Sequence, residues 1–367
     1  MKSTTKQSLM KRVNSQSSFT TTCKPSDTGT FYQLLHRTIG QHLSMVLFLL
    51  LSMGVGLGTA TSQAQTRAYV TNQLDNTVSV IDTATNTVLA TIPVGAVPVG
   101  VAITPDGTRA YVTNAGDNTV LVIDTVTNTV VASIAVGLGQ TPFGVAITPD
   151  GTRAYVTNFT ILGTVSVIDT ATNTVVASIP IGPKPQAVAI TPDGTRAYVP
   201  GQGFIVSPGT LVSVIDTATN TLVATIPVGL FPTGVAITPD GTRAYVTNAL
   251  DNTVSVIDTA TNTVVASIPI GPKPQAVAIT PDGTRAYVPG QGFIVSPGTL
   301  VSVIDTATNT LVATIPVGLF PEGVAITPAP QAPKSKEECK HGGYLKFGPP
   351  AGPFKNQGQC VSYVEHH

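Results

Sequence analysis

The sequence predicts an all-β protein whose central part is a six-bladed β-propeller, and two observations lead to this prediction. Between Thr66 and Pro328 the chain repeats a unit of four short, β-branched segments separated by turn-forming residues, as in Gly234–Gly271. The tyrosine of the RAYV segment recurs six times, with spacings of 42, 44, 43, 47 and 42 residues, at Tyr69, Tyr111, Tyr155, Tyr198, Tyr245 and Tyr287. Four strands at a period of roughly 40–50 residues are typical of a propeller blade.

Each element of the unit has a local physical reason. GVAIT and RAYVTN are rich in residues that suit a pleated surface, and the PDG between them is a tight turn because proline fixes φ and glycine accepts positive φ. TVSVID is the third strand and TVVASIP the fourth. The ATNT between them is a polar turn that Asp258 and its equivalents are expected to cap.

The order of the strands predicts how the ring closes. RAYV and VIDT segments each occur six times, as does the outer strand that contains VATI, VASI or, once, LATI. The first RAYV has no VAIT strand before it, and an additional VAIT strand stands at Gly323–Thr327. We therefore expect this C-terminal strand to pair with Arg67–Asn72, so that every blade has four antiparallel strands and no sheet edge stays open. Strands that are apolar on both faces, for example at Val78, Val80 and Ile81, indicate blades stacked on one another.

The repeat resembles the YVTN family of β-propeller repeats. The tetrapeptide stands at Tyr69–Asn72, Tyr111–Asn114, Tyr155–Asn158 and Tyr245–Asn248, whereas Tyr198 and Tyr287 begin YVPG instead. The resemblance covers the propeller region and implies a secreted or surface protein like those of bacteria and archaea, some of which look like surface-layer components. Seven blades are common in such proteins, and this chain supplies six.

Composition divides the chain into four regions. Residues 1–64 hold six of the 19 basic and one of the 19 acidic residues, which leaves 13 basic and 18 acidic residues, a net charge of −5, for the rest. That balance disfavours nucleic acid as a partner. The uncharged stretch Leu43–Ala60, followed by Ser62-Gln63-Ala64, predicts a signal peptide with a long basic leader, cleaved after Ala64. The alternative is a membrane anchor, in which case the membrane would be contacted only through the uncleaved leader. We expect a secreted or cell-envelope protein.

The regions after the leader are a propeller at 65–328, a Pro-rich linker at 329–338 and a small module at 339–367. Cys339 and Cys360 bracket this module, and two cysteines in one short module of an exported protein predict a disulfide. The segment resembles a short Cys-bracketed tail found on many secreted bacterial proteins.

Sequence differences between blades concentrate in two connections, which the strand order places on one face of the disc. One connection joins RAYV to VSVID and is long at Pro200–Thr210 and Pro289–Thr299; the other joins the outer strand to the next blade. Variable loops on a constant scaffold are where binding specificity is placed, and aromatic anchors mark contact sites. The candidate binding residues are Phe143, Phe159, Lys184, Phe204, Phe231, Lys273, Phe293 and Phe320. The alternative is that these phenylalanines pack inward and hold the loops on the disc.

Two blades are an internal duplication, because residues 164–238 and 253–327 are the same sequence apart from Thr233 and Glu322. A partner with its own repeat would suit this duplication, but a recent and neutral copy is the favoured explanation. We expect a protein or glycan at the cell surface as the partner.

Few residues of the propeller region suit catalysis. It contains no His, Cys or Trp, and its 14 Asp residues stand in repeated turns. The usual nucleophile–base pairs and zinc sites are therefore missing, and neither a metal nor another cofactor is expected. These observations predict a non-enzymatic binding scaffold. The alternatives are a self-associating structural protein of the cell envelope and an enzyme of lactonase or quinoprotein type.

Overall fold

The computed structural model describes residues 67–83, 85–204, 207–293, 296–321, 323–324 and 326. All of them belong to the compact unit Gln65–His367. The predicted leader, the linker and the module with Cys339 and Cys360 lie outside the described residues. Within the described part, no helix has the length and apolar character needed to cross a bilayer.

The fold is a six-bladed β-propeller, as the sequence predicts, and the described residues form 23 of its strands. Blades 1 to 3 contain β1 (Arg67–Asn72), β2 (Thr77–Asp82), β3 (Thr87–Pro93), β4 (Pro98–Ile103), β5 (Arg109–Asn114), β6 (Thr119–Asp124), β7 (Thr129–Ala135), β8 (Pro142–Ile147), β9 (Arg153–Asn158), β10 (Thr164–Asp169) and β11 (Thr174–Pro180). Blades 4 to 6 contain β12 (Ala189–Ile190), β13 (Arg196–Phe204), β14 (Ser207–Asp216), β15 (Thr221–Pro227), β16 (Pro232–Ile237), β17 (Arg243–Asn248), β18 (Thr253–Asp258), β19 (Thr263–Pro269), β20 (Ala278–Ile279), β21 (Arg285–Phe293), β22 (Ser296–Asp305) and β23 (Thr310–Pro316).

Each blade is an antiparallel meander in which consecutive strands pair. Blades 2 to 6 have four strands, and blade 1 has three among the described residues because nothing is paired to the free side of β1. The two outer strands of every blade share a β-bulge, seen in blade 1 between Val80 and Ile81 of β2, which pairs with β3. A bulge increases local twist, so its repetition gives the outer strands a common twist around the ring.

Blades 4 and 6 depart from the pattern where the sequence reads YVPG. Pro200 cannot donate to a sheet ladder, and the innermost strand β12 is reduced to two residues, Ala189 and Ile190. The segment read from the sequence as a long loop is a β-hairpin in which β13 and β14 extend past the disc to Phe204 and Ser207. This hairpin requires glycine, because a Cβ on Gly209 would lie 1.9 Å from the carbonyl oxygen of Gly201.

The core lies between blades. Among the described residues, five hydrophobic clusters each combine two consecutive blades. Between blades 2 and 3, Tyr111 and Ile134 of one blade pack against Val156 and Ile168 of the next. The hydroxyl of Tyr111 also donates to Asn173 Oδ1 at 2.9 Å in the turn of blade 3. Apolar strands on both faces therefore stack blade on blade, as the sequence predicts.

The faces of blade 6 and blade 1 that would form the sixth interface remain partly uncovered. Ile315 is 41% exposed, whereas its five counterparts are at most 5% exposed. Val70 is 44% exposed and Ile81 is half-buried, whereas all five counterparts of each are fully buried. Within the described residues, the seam between blades 6 and 1 is thus less packed than the five other interfaces.

Closure by the C-terminal strand stays a prediction. Gly323, Val324 and Ile326 lie outside any described strand, and Glu322, Ala325 and Thr327 lie outside the described residues. Gly323 nevertheless lines the axial cavity together with inner-strand residues of blades 2 to 6. The GVAIT at 323–327 repeats Gly234–Thr238, and Arg67–Asn72 repeats Arg243–Asn248. In blade 5, Val235 pairs with Val246, so this template places Val324 opposite Val70.

We expect deletion of residues 323–367 to lower the melting temperature and to cause aggregation, whereas deletion of residues 329–367 should do neither. Burying Val324 and Ile326 fully would contribute about 1.5–3 kcal/mol each, and their removal leaves β1 as an open sheet edge. Thermal unfolding with light scattering compares the two truncations. Equal melting temperatures and a monomeric state for both would contradict closure by this strand.

Candidate functional site

The strand order gives the disc two different faces. The constant face carries the PDG turns and the ATNT turns, and the variable-loop face carries the loops between second and third strands together with the inter-blade connections. Hydrogen bonds confirm this sorting. The amide of Ala115, in a loop of blade 2, donates to the carbonyl of Val97 in the connection between blades 1 and 2 at 2.9 Å.

Aspartates of the constant face cap turns, as the sequence predicts. Asp106 accepts from the Thr104 hydroxyl at 2.6 Å and the Thr108 amide at 3.0 Å, and these bonds, the Thr104 bond foremost, lower its pKa. Asp124 accepts from the amides of Val126 and Thr127, and the Thr127 amide is the largest cause of its lowered pKa. The same arrangement recurs at Asp150, Asp169, Asp193, Asp216, Asp240, Asp258, Asp282 and Asp305.

Grooves run between adjacent blades on the constant face. The largest of the described cavities, about 660 Å³, lies between blades 5 and 6 and is lined by residues such as Asp240, Arg243 and Tyr245. Equivalent grooves between other blades have the same residue types. Their arginines are already paired with an aspartate of the same blade, as in Arg109 Nη1 to Asp124 Oδ2 at 2.5 Å, and their PDG aspartates accept from threonine groups, as Asp106 does. Volume alone therefore does not mark a selective site here.

The aspartates of the DNT loops act differently from the turn caps that the sequence suggests. Asp117 Oδ2 accepts from the amide of Ala96 at 2.7 Å, and Asp251 Oδ2 from the amide of Leu230 at 2.6 Å. Both acceptors therefore hold the connection from the preceding blade rather than only their own loop. These two carboxylates are therefore structural, and they stabilise the connections of the variable-loop face.

Six equivalent connection residues form a ring on the variable-loop face. Sequence analysis did not predict the backbone conformation that they share. Each precedes a proline and has φ between 48° and 61°. These residues are Val97, Thr141, Lys184, Phe231, Lys273 and Phe320. Left-handed backbone costs roughly 1–2 kcal/mol for a residue other than glycine, and the proline that follows favours extended backbone instead. We call these six positions the connection ring.

Hydrogen bonds to both flanking blades impose this conformation. The amide of Thr141 donates to Asn118 Oδ1 of blade 2 at 3.0 Å, and its carbonyl accepts from the amide of Phe159 of blade 3 at 2.9 Å. At Lys184 the amide donates to the carbonyl of Thr160, and the carbonyl accepts from the amide of Gln202. The backbone of the ring is thus the same from blade to blade while the side chain varies among Val, Thr, Lys and Phe.

Four of the predicted binding residues meet at blades 3 and 4. The rings of Phe143 and Phe159 have centroids 5.3 Å apart. Lys184 Nζ lies 5.4 Å from the ring centroid of Phe159 and 4.8 Å from that of Phe204. All four side chains are half-buried, and Phe143 and Phe204 stand in strands β8 and β13 rather than in loops. We call these four residues the aromatic–lysine cluster.

The other four predicted residues are not part of this cluster. Phe231 and Lys273 are half-buried members of the connection ring, and Phe320, also in the ring, is exposed. Phe293 stands in strand β21, and its side chain lies outside the description. The alternative of inward packing therefore fits Phe143 and Phe204 in part, whereas Phe320 faces solvent.

An axial cavity of about 410 Å³ is lined by the innermost segments of blades 2 to 6 and by Gly323. Glycine is required here because a Cβ on Gly100 would lie 2.4 Å from the carbonyl oxygen of Phe143 in the next blade. The described lining residues include no carboxylate. In the described part of the chain, no group of three or more His, Cys, Asp or Glu side chains is placed to hold a metal ion.

Comparisons with known proteins agree with this fold. The sequence model of the YNCE-like β-propeller family matches residues 50–162. Kuenenia stuttgartiensis hydrazine synthase superposes with a TM-score of 0.63 at 25% identity, covering 73% of this chain and 92% of that one. A functionally unknown protein from Desulfotomaculum acetoxidans DSM 771 gives a TM-score of 0.60 at 22% identity, covering 69% and 80%. No curated protein shows significant sequence similarity.

The blade architecture and its repeated turns define the class as a six-bladed β-propeller of antiparallel four-stranded units. With the family match and the recurring tetrapeptide, the chain is a YVTN-like β-propeller repeat protein.

We expect the free energy of unfolding to fall as the pH drops below about 4, the ordinary pKa of an aspartate. Ten turn aspartates have lowered pKa values in the fold, so their stabilisation is present above the unfolded pKa and is lost as pH falls through the folded values. Urea unfolding between pH 7 and pH 2.5 measures this. Stability that rises on acidification would contradict the capping role.

Proposed function

We propose that the chain is an exported, non-enzymatic β-propeller that binds a protein or glycan at the cell surface through its variable-loop face. The observation that carries the proposal is the connection ring. Its six positions share one strained backbone and present four different side chains. Hydrogen bonds to both flanking blades hold this backbone at five of the positions, Val97, Thr141, Lys184, Phe231 and Lys273. Residues kept in left-handed backbone cluster at ligand-binding positions, and a rigid scaffold with variable side chains suits recognition.

Export rests on the leader. The uncharged stretch Leu43–Ala60 and the small residues before Gln65 support cleavage after Ala64. Intact-mass analysis of the protein recovered outside the cytoplasm tests this: the expected product begins at Gln65, and a membrane-bound product that retains Cys23 would contradict export by a cleaved signal.

The non-enzymatic part of the proposal rests on residue types. The propeller region has no His or Cys, and ten of its aspartates are committed to turn caps. A lactonase or quinoprotein activity would require a bound metal or quinone. Metal analysis and absorption spectroscopy of protein purified from its natural source test this, and a stoichiometric metal or a quinone band would favour the enzyme.

Self-association is a second candidate function, because the seam offers partner surfaces. The uncovered face of blade 6 has the same sequence as the face of blade 4 that packs against blade 5. The RAYVTN and TVSVID strands of blade 5 recur in blade 1. A second copy could therefore supply the blade 1 face in a head-to-tail contact. Electron microscopy of the cell envelope and light scattering against concentration test this, and concentration-independent monomers without arrays would exclude it.

We expect the double variant Phe204→Ser and Phe293→Ser to lose attachment to intact cells while its melting temperature changes little. Removing aromatic anchors from a contact surface weakens binding, whereas removing core side chains destabilises the fold. A cell-sedimentation assay and thermal unfolding separate the two effects.

Val126→Ser is the matched control, because Val126 is exposed in a turn of the constant face. It should leave both attachment and melting temperature unchanged. Unchanged attachment in the double variant with a lower melting temperature would show that these phenylalanines are structural, and the proposed function would then be wrong for this face.

A further inference from the structure

A cleft of about 510 Å³ opens on the variable-loop face at blades 3 and 4, next to the aromatic–lysine cluster. It is lined by the connection residues 139–141, by the loop residues 159–162 and by Lys184. The loop reads FTIL here, where the corresponding loops of blades 1, 2 and 5 carry a DNT sequence. The loop that lines this cleft therefore differs in composition from its counterparts in the other blades.

One wall of the cleft holds an ammonium group in place. Lys184 Nζ lies over the rings of Phe159 and Phe204, and Phe159 is in turn packed on Phe143. The backbone of Lys184 is fixed by its amide and carbonyl hydrogen bonds. A lysine ordinarily loses considerable rotamer entropy on binding, and here part of that loss has already occurred in the free protein.

The ammonium of Lys184 has no carboxylate partner in the part of the chain that is described. Five ion pairs in the described residues each join an arginine and an aspartate of the constant face. The acidic residues of the variable loops and connections lie elsewhere in the sequence: Asp75, Asp117 and Asp251 belong to blades 1, 2 and 5, and Glu322 follows blade 6. The local charge at blades 3 and 4 is therefore positive, which favours an anionic ligand group.

The other wall of the cleft is aliphatic and faces water. Leu162 is 84% exposed and Ile161 is 69% exposed, and Leu138 in the adjoining connection is 97% exposed. Ile161 and Leu162, which line the same cleft, form the kind of exposed aliphatic surface that marks a contact site, and Leu138 immediately precedes the lining residue Gly139 in sequence. They would be covered by apolar groups of a ligand, because they offer no hydrogen bond to a hydroxyl-rich one.

We infer that this cleft binds an acidic–apolar segment of a partner protein, with a carboxylate on Lys184 Nζ and aliphatic or aromatic side chains over Ile161 and Leu162. This inference rests on the proposed function and specifies its partner. An acidic glycan would supply the charge and leave the aliphatic wall unmatched. A single lysine attracts an anionic bilayer only weakly, and the site is a concave cleft rather than a broad basic face.

The duplication allows the Lys184 position to be compared with the equivalent Lys273 position in the same molecule. Lys273 stands in an identical connection, but the preceding blade places Ala249 where blade 3 has Phe159, and Asp251 follows two residues later. Ala249 is fully buried, and Asp251 accepts from the amide of Leu230 in the connection that precedes blade 5. The Lys273 position therefore lacks both the Phe159 ring and the aliphatic loop, and it should not bind the same segment.

A peptide array tests the inference with the full chain. The probes are eight-residue peptides that alternate Asp or Glu with Leu, Ile or Phe; the control sets replace the acids by Lys or the apolar residues by Ser. We expect the wild type to bind members of the first set only. Lys184→Glu should weaken that binding at least about tenfold and gain binding to the Lys-containing set, as expected when a charge-assisted hydrogen bond is reversed. Leu162→Ser should weaken binding as well.

Val126→Glu, which adds a carboxylate at an exposed turn of the constant face, is the control and should bind like the wild type. Absence of binding by the wild type, or equal binding by the wild type and Lys184→Glu, would overturn the inference. Binding that depends on Lys184 and occurs only to vesicles of anionic lipid, or only to an acidic polysaccharide, would overturn it in favour of that ligand. If these peptides fail while Phe204→Ser with Phe293→Ser abolishes cell attachment, the inference is wrong and the proposed function stands.

Discussion

The stacking of apolar blade faces is the interaction on which the rest of the structure depends. No blade can bury both of its faces by itself, so each needs a neighbour on either side. The tyrosine of each RAYV strand shows the coupling: Tyr155 is fully buried and donates to Asn220 of the next blade at 2.7 Å, and burial raises the pKa of its hydroxyl to about 12. Once the blades are stacked, the turns and connections have fixed positions at the two faces.

The same requirement explains the asymmetry of the seam. Blades 1 and 6 are the ends of the row, and the faces they turn toward each other hold residues that are buried everywhere else, such as Ile315 and Val70. A closed ring satisfies both faces within one molecule, and a second copy satisfies them between molecules. Both outcomes use the hydrophobic packing seen between blades 4 and 5, because blade 6 repeats the sequence of blade 4 and blade 1 repeats two strands of blade 5.

Much of the fold could be predicted from the sequence because the same pattern of strands and turns recurs six times. Strand order, turn positions and two-sided burial all follow from patterns in single residues and their spacing. The connection ring could not be predicted, because a residue before proline favours extended backbone, and only hydrogen bonds from two different blades hold Lys184 or Phe231 at positive φ. The hairpin extending to Phe204 was also missed, because its prolines and glycines are typical of loops.

The candidate site shows the same limit. Sequence analysis selected Phe143, Phe159, Lys184 and Phe204 as separate loop residues, and only the ring geometry brings them into one cluster. Conversely, sequence analysis did not select Ile161 and Leu162, because a pair of aliphatic residues is more often buried in the core than exposed on the surface. Their exposure follows from the loop being held at the edge of the disc by the connections on either side.

The central claim is that one face of a rigid disc recognises a partner at the cell surface. Hydrogen–deuterium exchange of the protein, free and bound to cell envelopes, tests it most directly. The account predicts protection in the loops and connections of the variable-loop face, strongest near residues 159–162 and Lys184, with the PDG and ATNT turns unchanged. Protection confined to the constant face, or an equal slowing of exchange throughout the disc, would contradict the account.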